Sequence, residues 1–245
     1  MKNLDMPTLV CKFNKNYEGF LKDVYEYVVE NFAKDFNLSV LNKIEIVPSL
    51  PCSSDGRIEG TNILLSKRLY DLLPTLDLDL LRDNDDFNLI VSTLYHEFCH
   101  LNEQTILPNI HAICNRDDID IDYFVARFWI EYIVETKTNS VFKRNKSKFC
   151  DDIALNEWAI NKADYDTQNT TNYFYLIKVL PYALACCRNE KSDYVIRIKN
   201  PIIRNMVVEL YDAISNIQNK YPIDDINSLN EIKRIFSSYQ KRLLR

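Results

Sequence analysis

The stretch His96-Glu97-Phe98-Cys99-His100 lies inside a segment whose apolar residues recur at helical spacing. Residues four apart share one face of a helix, so both imidazoles can reach one metal ion. Glu97 follows the first imidazole and is placed to act as a general base in hydrolysis. The chain has three histidines, at 96, 100 and 111, so chance rarely produces this pattern. The stretch therefore predicts a helix that carries a zinc site.

The third metal ligand is expected on a later helix, predicted over residues 120–143 and capped by one of the aspartates at 117, 118 and 120. A catalytic zinc usually takes three protein ligands and keeps one position open. Glu135 is the first candidate, because a lone carboxylate among aromatic and aliphatic residues is costly to bury without a partner. Glu131, one turn earlier, is the alternative, and the sequence also allows neither to be the ligand. Asn139, one turn after Glu135, is placed to hold a ligand in position.

His111 is the remaining histidine, in a segment over 104–118 that is predicted to be a loop. A packing or surface role is the first interpretation, and a metal ligand or substrate contact is the alternative. A metzincin site would need its third histidine at position 106, which is Ile106.

The remaining periodicity predicts a mainly helical chain. Strands are expected at 43–47 and 58–66, and helices at 17–36, 69–73, 87–103, 152–163, 170–188, 200–219 and 224–243. Pro181 should kink or break the helix over 170–188. The predicted fold class is α+β, predominantly helical, with a small antiparallel or mixed sheet and a C-terminal helical region. The predicted domains are residues 1–150 and a helical extension over 151–245 packed on them.

His96-Glu97-x-x-His100, followed by Glu135-x-x-Thr138-Asn139, resembles the gluzincin branch of the zinc metallopeptidases. In that branch a downstream helix supplies a Glu within a pattern close to E-x-x-A-[ND]. The order of strands, HExxH helix and Glu-bearing helix over about 40–143 is similar to the compact intracellular ImmA/IrrE-like peptidases. Two departures are Thr138 in place of Ala and Asn102 where an apolar residue is common.

The resemblance implies a zincin-like core within residues 1–150, Zn²⁺ as cofactor and hydrolysis of peptide bonds in a protein or peptide substrate. The alternatives are a catalytically inactive zincin-fold protein that acts as a protein-binding or regulatory module, and a helix whose two histidines align without metal. The presence of Glu97 favours an active peptidase, because hydrolysis needs a general base at this position and metal binding does not.

Composition indicates which binding partners and which cellular compartment to expect. A formal net charge of −5 argues against a nucleic-acid partner. Seven cysteines, an odd number without a CxxC pair, indicate reduced thiols and a cytoplasmic protein. The apolar run 173–187 is interrupted by Lys178 and Pro181 and is too short to span a bilayer, so no membrane association is expected. The sequence does not indicate an oligomeric state.

Overall fold

The structure is a computed structural model that describes residues 6–51, 54–71, 73–82, 84–142, 167–186, 195 and 197–243. Its strands are β1 (Thr8–Cys11), β2 (Lys43–Val47), β3 (Gly56–Glu59) and β4 (Asn62–Ser66). Its helices are α1 (Lys15–Asn31), α2 (Arg68–Asp71), α3 (Leu78–Leu81), α4 (Asp85–Ile106), α5 (Pro108–Cys114), α6 (Ile121–Val141), α7 (Thr167–Cys186), α8 (Pro201–Ile217) and α9 (Asn230–Leu243), with 3₁₀ turns at Gln218–Lys220 and Ile226–Leu229. The described part of the chain is mostly helical with one small mixed sheet, which confirms the predicted α+β class.

The sheet has the strand order β1-β2-β4-β3. Strand β2 pairs in parallel with β1 and with β4, and β3 pairs antiparallel with β4. The prediction of β2 over 43–47 is confirmed. The prediction of one strand over 58–66 is wrong, because the chain reverses at Gly60, whose φ of 60° suits a residue without Cβ, and forms the β3–β4 hairpin.

Two compact units divide the chain, one formed by residues 1–105 with 140–143 and the other by 106–139 with 144–245. The core of the first unit forms between α1, the sheet and α4. Its buried side chains include Val24, Ile44 and Ile63, and the rings of Tyr25 and Phe98 meet edge to face at 5.9 Å. The predicted boundary near 150 and the helix over 152–163 lie outside the described residues.

The second unit is helical in its described part. Trp129 of α6 is fully buried, and the ring of Phe128 meets that of Phe236 on α9 edge to face at 5.2 Å. Tyr173 of α7 donates a hydrogen bond to the backbone oxygen of Phe236 at 2.6 Å. These contacts join α6, α7 and α9 into one core.

Three predictions about where helices begin, end or are absent need correction. The segment over 104–118 is not only a loop, because it contains α5, and His111 lies on that helix. The helix α7 continues through Pro181 as one element, so the predicted break at this proline is wrong, whereas the alternative of a kink stays a prediction. Residues 224–229 do not belong to the last helix, which begins at Asn230 after a 3₁₀ turn. Among the described residues, none of the helices combines the length and hydropathy needed to cross a membrane.

Candidate metal centre

The two histidines of α4 point at each other from successive turns. Helix α4 begins after Asn84, whose side-chain oxygen accepts the Asp86 amide at 3.0 Å, and it runs for 22 residues to Ile106. The Nε2 atoms of His96 and His100 are 3.1 Å apart. Two Zn–N bonds of ordinary length that meet at the tetrahedral angle place their nitrogens about 3.3 Å apart. The pair therefore already has nearly the separation that one zinc ion requires.

Glu97 lies against the backbone of strand β3. A Cβ atom built on Gly56 would stand 2.5 Å from Glu97 Oε1 and 2.9 Å from its Cδ. A side chain at position 56 would displace the Glu97 carboxylate, so the glycine lets the buried carboxylate lie beside the strand. Nothing in the sequence around Gly56 relates it to Glu97, which lies 41 positions later.

Glu131 is held on both carboxylate oxygens within the second unit. The Tyr182 hydroxyl of α7 donates to Oε2 at 2.7 Å, and Arg127 Nη2 lies 3.4 Å from Oε1. Burial and the neighbouring Glu131 carboxylate raise the pKa of Tyr182 well above its ordinary value, so the phenol keeps its proton. Sequence reasoning missed Tyr182, because its relation to Glu131 spans 51 residues.

Glu135 is fully buried one turn further along α6. Its Oε1 accepts a hydrogen bond from Asn139 Nδ2 at 3.2 Å and from the Cys186 thiol at 3.6 Å. Asn139 also lies 3.1 Å from Cys186 Sγ. Asn139 thus contacts Glu135, which is the contact expected of a residue that holds a metal ligand.

A cysteine also lies close to the Glu131 carboxylate. Burial raises the pKa of Cys114 to about 12, with the nearby Arg127 guanidinium lowering it and Glu131 raising it. The thiol of Cys114 is therefore protonated and unreactive at neutral pH. Cys99, inside the motif, is fully buried.

Each unit holds part of the donor set that a catalytic zinc usually takes, two imidazoles and one carboxylate. The first unit holds the imidazoles of His96 and His100. The second unit holds two buried carboxylates, those of Glu131 and Glu135 on α6.

No protein-family model, curated protein or solved structure matches this chain.

Proposed function

We propose that this chain is a zinc-dependent metallopeptidase with a zincin-like core, which hydrolyses peptide bonds in a protein or peptide substrate. The observation that carries the proposal is the pair formed by His96 and His100, whose Nε2 atoms are 3.1 Å apart, with Glu97 next to the first histidine in the chain. His96 and Glu97 are both buried, at 6% and 5% exposure, so a reaction at this site would be shielded from bulk water.

Each residue has one part in this proposal. His96, His100 and Glu131 would hold the zinc, with Glu135 as the alternative carboxylate. When bound, zinc supplies Lewis-acid polarisation and lowers the pKa of water. Glu97 would accept a proton from the water as the water attacks the carbonyl carbon of the peptide bond. It would then deliver this proton to the amine that leaves when the C–N bond breaks. Arg127 balances part of the negative charge of Glu131.

Metal content gives the first test. Protein purified without added metal is expected to contain close to one equivalent of zinc by elemental analysis, because two imidazoles and one carboxylate are the donors that a catalytic zinc usually takes. His96→Ala and His100→Ala are expected to lose it, since each removes a ligand. His111→Ala is the matched control, which removes the third histidine and should leave the zinc in place. Equal zinc in all four proteins would overturn the proposal.

The identity of the carboxylate ligand gives the second test. Glu131→Gln is expected to lower zinc affinity strongly, because an amide oxygen carries no charge to offer the ion. Glu135→Gln is expected to have the smaller effect, since the amide at 3.2 Å and the thiol at 3.6 Å orient Glu135 less firmly than the Tyr182 hydroxyl at 2.7 Å orients Glu131. Competition with a chromogenic chelator measures both affinities. A larger loss of zinc affinity in Glu135→Gln than in Glu131→Gln would make Glu135 the ligand, and the roles of the two histidines would stay the same.

Replacement of Glu97 separates an enzyme from a binding module. Glu97→Gln keeps the size and polarity of the side chain but cannot accept a proton at neutral pH. Cleavage in a peptide-library digest is expected to fall by at least about 10²-fold, as is usual when a general base is removed. Zinc content should stay at the wild-type level. Cleavage that is equal in both proteins and insensitive to a chelator would exclude this mechanism, and no cleavage by zinc-loaded wild type would favour a binding module.

A further inference from the structure

We infer that Tyr182 is a positioning residue that fixes the Glu131 carboxylate as the third zinc ligand; this inference rests on the proposed function. The Tyr182 hydroxyl donates to Glu131 Oε2 at 2.7 Å. The other oxygen, Oε1, has Arg127 Nη2 at 3.4 Å. A donor on one oxygen stops the carboxylate from rotating about its terminal bond, so the lone pairs of the two oxygens keep a fixed direction.

The contact is built into the spacing of two helices. Glu131 and Glu135 are four residues apart on α6, and their partners Tyr182 and Cys186 are four residues apart on α7. Residues four apart share one helix face, so α7 presents one donor to each carboxylate. A single helix thus sets the surroundings of both candidate ligands.

The two donors differ in strength, which distinguishes the two carboxylates. A phenol at 2.7 Å makes a short hydrogen bond of the kind that a charged acceptor favours. A thiol is a weak donor, and that of Cys186 lies 3.6 Å from Glu135. Tyr182 is also neutral, so it orients Glu131 without cancelling the charge that attracts the ion. Partners of this kind typically contribute 10- to 100-fold to metal affinity or activity.

Tyr182→Phe tests the inference, because it removes the hydroxyl and keeps the ring. Zinc affinity, measured by chelator competition, is expected to fall by about 10- to 100-fold. Tyr173→Phe is the matched control on the same helix, since its buried hydroxyl donates to a backbone oxygen. It should lose thermal stability and keep wild-type affinity. The visible spectrum of the cobalt-substituted protein should change in Tyr182→Phe and stay unchanged in Tyr173→Phe.

A double-mutant cycle shows whether Tyr182 acts through Glu131. In a Glu131→Gln background, Tyr182→Phe should lower zinc affinity no further, since the ligand it positions is already gone. Circular dichroism of the metal-free proteins checks that each variant is folded. Equal affinity in wild type and Tyr182→Phe would overturn this inference alone. No zinc in wild type would overturn the proposed function and this inference together.

Discussion

Gly56 and Glu97 are 41 positions apart in the chain. Because Gly56 has no Cβ atom, the Glu97 carboxylate can lie against strand β3. Gly56→Ala places a Cβ about where Glu97 Oε1 and Cδ now stand, at 2.5 and 2.9 Å. The carboxylate must move, and a displacement of about 1 Å at a reacting group can cost on the order of 10²-fold in rate. We expect peptide cleavage to fall by that order while zinc content stays unchanged, because neither histidine is touched.

Gly19→Ala is the control for the glycine replacement. Gly19 lies on the exposed face of α1, and a Cβ there meets nothing within 4 Å. Alanine in a helix interior is more stable than glycine by about 1 kcal/mol, so this variant should melt higher and cleave normally. Full activity in Gly56→Ala would show that the position of Glu97 beside β3 does not matter for catalysis.

Residues of the candidate site were predictable from the sequence where their relation is local. His96 and His100 are one helical turn apart, so spacing alone brings their side chains together. Glu131 and Glu135 have the same spacing, and for that reason the sequence could not choose between them. Tyr182 and Gly56 entered only with the structure, because tertiary contacts and not local spacing place them beside Glu131 and Glu97.

At the scale of an element, helix α5 depends on a cap from a distant part of the chain. The position before its first turn is Leu107, which offers no side-chain acceptor. Asp224 accepts the backbone amides of Asn109 and Ile110 at 2.9 and 3.0 Å, and the Asn109 side chain at 2.8 Å. A carboxylate at a helix N-terminus satisfies free amides and interacts favourably with the helix dipole.

Asp224→Ala should therefore destabilise the protein by about 1–2 kcal/mol, the usual range for a lost helix cap. Asp225→Ala is the neighbouring comparison, since Asp225 accepts the backbone amide of Asn227 and caps only a 3₁₀ turn. Urea unfolding measures both. A midpoint for Asp224→Ala that equals the wild-type value would mean that α5 gains nothing from this contact. Zinc content should be unchanged in either variant.

The same cap explains why the sequence predicted α5 as a loop. Capping residues are recognised next to the helix they cap, as for Asp120, whose side chain accepts the Tyr123 amide at the start of α6 and confirms the predicted cap. Asp224 lies more than 100 residues from α5. The prediction of one strand over 58–66 failed for a different reason. Apolar residues flank the turn on both sides, and the short polar stretch Glu59–Asn62 around Gly60 was included in the strand although it forms the reversal.

At the scale of the whole molecule, zinc should raise thermal stability through linkage between binding and folding. A ligand that binds only the folded state stabilises it by about 2.7 kcal/mol at a free concentration of 100 times its Kd. In a chain of this size 1 kcal/mol shifts Tm by roughly 2–4 °C. Metal-free wild type is therefore expected to melt about 5–10 °C higher when zinc is added at that ratio.

The seven cysteines of the chain affect the size of this Tm shift. Thiolates of the unfolded chain also bind zinc, which lowers the net stabilisation, and the histidine variants control for this effect. His96→Ala and His111→Ala retain all seven, so each carries the same unfolded-state effect. Zinc should then raise Tm in wild type and His111→Ala and leave it level or lower in His96→Ala. A rise of equal size in all three would place the zinc at the cysteines and away from the HExxH helix.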